Sequence, residues 1–256
     1  MKGQMSSVTA IILVVIMLLA FLGAWNVIGN KISEDVKNRN FKWGEGKGIS
    51  GIDEKSITSI SCGGADLNKI SSLSFDLKKC DTYRKSFVKY MKEYGLTDKV
   101  DLLLIYALTY QESSCNKNIN KGGIMQVDHG CLDRSDNKCI TDVDFAIKKG
   151  VEEFSQKYNG VSSDKLSDGD VVKLVLFGYN RGIAAAKRAV EYREKGTELH
   201  DSMVKACDDY YPLKITGICG SKWDLKKCCD SPGLGAGYPD KILSYFEKAC
   251  NELKGK

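Results

Sequence analysis

Along most of the chain apolar residues recur every three or four positions, but two stretches depart from that rhythm. Val8 to Trp25, VTAIILVVIMLLAFLGAW, carries no charge and is about long enough to cross a hydrocarbon core of roughly 30 Å as a helix. It predicts a transmembrane anchor, the alternative being a secretory signal cleaved near Leu22-Gly23-Ala24. Behind it, residues 31–61 are polar and glycine-spotted with no sustained apolar period, which reads as a linker or stalk.

Beyond Cys62 the helical period dominates. Lys79 to Tyr94, Lys99 to Ser114, Asp142 to Tyr158, Asp168 to Tyr179, Ile183 to Lys195 and Asp240 to Leu253 are predicted helices. Asp98 and Asp168 stand where helix starts favour an oxygen acceptor. No alternating strand pattern competes, and Asn116 to Thr141, rich in Gly, Asn, Asp and Cys, is predicted to be loop with at most a small β-hairpin. The expected organisation is an anchor over 1–30, a linker over 31–61 and one helical domain over 62–256, mainly α and α+β only in the loose sense.

The ten cysteines, Cys62, Cys80, Cys115, Cys131, Cys139, Cys207, Cys219, Cys228, Cys229 and Cys250, all follow the apolar run. An even number confined to that side points to disulfides in an oxidising compartment, hence to a domain outside the cytoplasm, membrane-anchored or secreted after cleavage. A zinc site is the rival use of such residues. There is no C-x-x-C pair, and His129 and His200 lack ligand spacing, so no metal and no cofactor is expected. Adjacent Cys228 and Cys229 must bond different partners, with Cys207, Cys219 and Cys250 the nearby choices, and Cys131 with Cys139 would close a local loop. The net charge of +5 is spread along the chain, which suits a polyanionic wall or an ordinary solvated surface, and no nucleic-acid module is recognisable.

The predicted helix from Val100 is apolar until Gln111 and Glu112, where it turns polar abruptly. A carboxyl group emerging from apolar surroundings near a helix C-terminus is expected to hold its proton more tightly, as a general acid requires. Glu112-Ser113, then Gly122-Gly123-Ile124-Met125-Gln126-Val127-Asp128, then Gly178-Tyr179-Asn180-Arg181-Gly182 resembles the ordered signature of soluble lytic transglycosylases and goose-type lysozymes. A fainter fourth block, Tyr238-Pro239-Asp240-Lys241-Ile242-Leu243-Ser244-Tyr245, is similar to a stretch near the end of many such domains. Lys2-Gly3-Gln4 looks like the processing site of type IV pilin-like signals, which would leave the apolar helix on the mature protein.

The resemblance implies a lysozyme-like domain acting on peptidoglycan glycan strands, with Glu112 protonating the leaving sugar oxygen. It implies that Ser113, Met125 and Gln126 serve the saccharide site, and that Tyr179 and Asn180 contact Glu112 or substrate. Two departures stand out: Gly178 where the families usually carry Ala, and Arg181 where they carry a small residue. Arg181 is expected either to reach a substrate carboxylate or to point to solvent. Hydrolysis usually needs a second carboxylate, and Asp128 is the candidate, expected at an inverting separation of roughly 6.5 to 9.5 Å from Glu112. Transglycosylation with Glu112 as sole acid/base is the chemical alternative. An inactive glycan-binding or pilus-associated module is the alternative of another class, and a secretion or conjugation apparatus is a compatible partner.

Overall fold

Leu102–Ser113 is apolar on every side, and residues 102–109 are all buried, so this helix is the one around which the rest must pack. The computed structural model describes residues 61–63, 65–119, 122–127, 130–131, 137–210, 229–230 and 234–255. These fall in one of the two compact units into which the chain divides, Lys55–Lys256. The predicted anchor, the predicted linker up to residue 60, Asp128, His129, Cys219 and Cys228 lie outside the described residues. No helix among the described residues is long and apolar enough to cross a membrane.

Two 3-10 helices, Leu67–Ser72 and Asp76–Tyr83, precede eight α-helices among the described residues: α1 Arg84–Glu93, α2 Leu102–Ser113, α3 Lys138–Thr141, α4 Val143–Val161, α5 Asp168–Arg181, α6 Ile183–Glu194, α7 Leu199–Tyr210 and α8 Tyr238–Lys254. No strand occurs among them, and the described parts of 116–141 are turns and the short α3. The helix expected over Lys79–Tyr94 is a 3-10 segment followed by α1. Three residues per turn bring Leu77 and Cys80 into line, and both are fully buried.

Capping differs from the sequence expectation at two helices. Asp101, not Asp98, caps α2, its carboxylate accepting from Leu103 N at 2.9 Å and from Cys62 N at 3.0 Å. Ser167, not Asp168, caps α5 by accepting from Asp170 N at 3.1 Å, which leaves Asp168 in the first turn, where a negative charge suits the helix dipole. Within α2 the two buried hydroxyls are satisfied by carbonyls one turn back, Thr109 Oγ1 to Ile105 O at 2.8 Å and Ser113 Oγ to Thr109 O at 3.2 Å.

Against α2 pack α8, the second 3-10 helix and α1, while α8 packs in turn on α5, and α5 on α4. Among the described residues four disulfides staple the array: Cys62–Cys250, Cys80–Cys115, Cys131–Cys139 and Cys207–Cys229. Cys131–Cys139 is the local bridge anticipated after Asp128, and Cys229 takes Cys207 among its three candidate partners.

Candidate active site

Glu112 sits in the last turn of α2, half-buried, where the chain reverses sharply. Ser114 and Cys115 both take left-handed backbone, with φ of 55° and 59°, and Ser114 N closes the helix on Tyr110 O at 2.8 Å. Neither residue is a glycine, so this turn carries some strain, and the Cys80–Cys115 bond holds it. The Glu112 carboxylate is thereby aimed by a covalently fixed turn.

Against it lies Tyr238, the first residue of α8, whose hydroxyl donates to Glu112 Oε1. Burial, then the Glu112 carboxylate, hold the Tyr238 phenol well above the ordinary tyrosine range. Tyr238 therefore stays a proton donor to the carboxylate and is no base itself. Its position depends on Asn180, whose Oδ1 accepts from Gly235 N at 3.1 Å, and on Ala236 N, which donates to Cys229 O at 2.7 Å.

The second wall is the turn 122–127. Gly123 has φ of +69°, and a Cβ there would lie 2.8 Å from Cys139 O. A Cβ on Gly122 would lie 2.8 Å from Gln126 Cα. Glycine is required at both positions, one by conformation and one by close approach. The turn closes through Val127 N to Gly122 O at 2.9 Å, with Gln126 in left-handed backbone and its Nε2 donating to Gly123 O at 2.5 Å. Tyr179 OH donates to Met125 O at 2.9 Å and so ties this turn to α5.

The residues expected at the site thus play unequal parts. Glu112, Gln126 and Asn180 are half-buried, while Ser113, Met125 and Tyr179 are buried. Met125 packs its side chain onto Gly150 of α4, and Ser113 gives its hydroxyl to the α2 backbone, so these two support the site from behind. Arg181 does not point to solvent; it is 3% exposed at the end of α5. Gly178 has a packing reason, since a Cβ there would lie 2.9 Å from Ala186 Cβ and 3.4 Å from Lys157 Cγ. Asp128 and its separation from Glu112 lie outside the described residues. Tyr238 was not singled out as a site residue, although it opens the faint fourth block, which was the signal available.

Residues 89–201 match the family Transglycosylase SLT domain, a span that takes in Glu112, Gln126 and Tyr179 but ends before Tyr238. No curated protein matches the chain, and no solved structure does. The match supports lysozyme-like or lytic-transglycosylase-like cleavage of glycan strands as the class of activity.

Proposed function

We propose that residues 62–256 form a lysozyme-like glycosidase that cuts the β-1,4 bond between N-acetylmuramic acid and N-acetylglucosamine, Glu112 acting as general acid. What supports this most directly is the half-buried Glu112 carboxyl held by the Tyr238 hydroxyl, inside a span matching the Transglycosylase SLT domain. Breaking a glycosidic bond leaves an alkoxide unless a proton is delivered, and a carboxyl partly removed from water, at a fixed helix end, meets that need. Gln126 lines the saccharide groove from its strained turn, and Tyr179 and Asn180 hold the two walls in register.

In this reading Asp128, one residue past the turn-closing Val127, orients the attacking water and the outcome is hydrolysis. Transglycosylation is favoured by the description of the matching family and needs only Glu112, the sugar's own hydroxyl attacking to leave an anhydro end. With Val8–Trp25 as anchor the domain works outside the cytoplasm, in keeping with the four disulfides among its described residues.

In a gel containing peptidoglycan, the wild-type chain clears a band and Glu112→Gln does not. Clearing by both removes Glu112 as the acid, and clearing by neither points to a glycan-binding module. Mass spectrometry of the products then separates the two chemistries, reducing ends marking hydrolysis and anhydro ends transglycosylation.

A further inference from the structure

Burial first, then Glu112, Tyr179 and lastly Glu153 of α4 hold the Tyr238 phenol above the ordinary tyrosine range, and Glu153 belongs to none of the sequence blocks. Gly150, Glu153 and Lys157 are spaced three and four residues apart, so they share one face of α4. Both ends of that face are located by close contacts. A Cβ on Gly150 would lie 2.2 Å from Met125 Sδ, and Lys157 Cγ lies 3.4 Å from where a Gly178 Cβ would be. Glu153 therefore stands between the Met125–Gln126 turn and the Gly178–Tyr179 segment, the two pieces joined by the Tyr179–Met125 hydrogen bond.

The Glu153 side chain is 13% exposed and that of Lys157 8%, with Oε1 accepting from Lys157 Nζ at 2.5 Å. The other oxygen, Oε2, is buried and meets no hydrogen-bond donor among the described residues. Carrying a carboxylate into such a place with one oxygen unsatisfied costs free energy, and an apolar pair of similar volume would be the cheaper filling. Stability alone gives no reason for the pair. The glycine at 178, where the resembling families carry alanine, leaves the space that Lys157 occupies.

We infer that Glu153 is a positioning residue for the acid: its carboxylate, tethered by Lys157 beneath the cleft, opposes loss of the proton from Glu112 by like-charge repulsion across Tyr238. The inference rests on the reading of Glu112 as general acid. Two influences then act on that proton in opposite senses. A hydrogen bond from Tyr238 favours the carboxylate of Glu112, and the negative charge of Glu153 favours the acid. Lys157 keeps the second influence moderate by neutralising part of it. Among the described residues, the other charges on α4 are paired elsewhere, Lys149 with Glu152, Lys148 with Glu93 of α1 and Asp144 with Lys89 of α1; on α5, Lys173 pairs with Asp240 of α8, and the guanidinium of Arg181, 3% exposed, is a buried cation whose charge acts in the same sense as that of Lys157.

The test is the pH dependence of the initial rate of the full chain on solubilised glycan strands, with Glu112→Gln as the first control. An acid that must be protonated loses activity as pH rises, so the alkaline limb reports it. Glu153→Gln is expected to move that limb down by about one pH unit. Lys157→Gln should move it up, and Glu153→Asp should keep it near the wild-type position. An alkaline limb unmoved in Glu153→Gln overturns the inference. Should that variant not fold, a limb in Lys157→Gln that stays put or moves down does the same. Activity surviving in Glu112→Gln sinks the reading of the acid itself, whereas an inactive Glu112→Gln with an unmoved Glu153→Gln limb sinks only the role of Glu153.

Discussion

At Glu112 the tyrosine that holds the carboxyl has a measurable job distinct from filling space. Tyr238 is 2% exposed, so Tyr238→Phe keeps the ring packing and removes only the donor to Oε1. A hydrogen bond to a charged group contributes roughly 1.5–3 kcal/mol, so kcat should fall by about ten- to a hundredfold if the bond is worth as much in the transition state. Loss of a donor to the carboxylate also raises the proton affinity of Glu112, which moves the alkaline limb of the rate profile upward. Steady-state rates from pH 4 to 9, about the range over which carboxyl groups in unusual surroundings titrate, check both parts. An unchanged kcat would mean that the Tyr238 hydroxyl is spent on packing alone.

The element on which the site turns is α4, because its inner face carries both the seat of Met125 and the Glu153–Lys157 pair. Adding one methyl at Gly150 would bring it within 2.2 Å of Met125 Sδ and 2.6 Å of Met125 Cβ. The methionine tip is flexible, but its Cβ moves only with the backbone of the 122–127 turn. Gly150→Ala is therefore expected to destabilise the fold by about 1–3 kcal/mol and to lower activity by displacing Gln126. Thermal melting together with the rate assay checks this, and a variant with full stability and full rate would contradict the packing described.

Helix α7 is not among the six helices predicted from the sequence, although its period is amphipathic. Its buried face is made of Ser202, Met203, Val204, Ala206 and Cys207, and Cys207 is secured by Cys229. Of the six helices predicted, α6 buries only Ala185, Ala186 and Ala189, while others bury larger side chains such as Phe87 of α1, Leu104 of α2, Phe154 of α4 and Phe246 of α8.

Over the whole molecule, Cys62–Cys250 joins the start of the helical array to its last helix across 188 residues of sequence. Such a bridge restricts the unfolded chain strongly, and its removal typically costs about 2–5 kcal/mol. Replacing both Cys62 and Cys250 by Ser should lower Tm by roughly 5–15 °C for a domain of this size, with most activity kept at low temperature. Calorimetry of the double variant decides it. A Tm within a degree or so of wild type would show that Asp101, which also holds the Cys62 backbone, suffices to fix the start of the array.

From sequence alone, the mainly helical class, the position of Glu112 at the end of an apolar helix and the glycines of the 122–127 turn were already legible. Each is a matter of local period, local polarity or backbone conformation, and those are written in neighbouring residues. Which cysteines pair, that Arg181 and Met125 face inward, that the Tyr238 hydroxyl reaches Glu112, and that Glu153 stands between the Met125–Gln126 turn and the Gly178–Tyr179 segment depend on groups brought together from far apart along the chain. Tyr238 and Glu112 are 126 positions apart, and only the packing of α8 on α2 makes them neighbours.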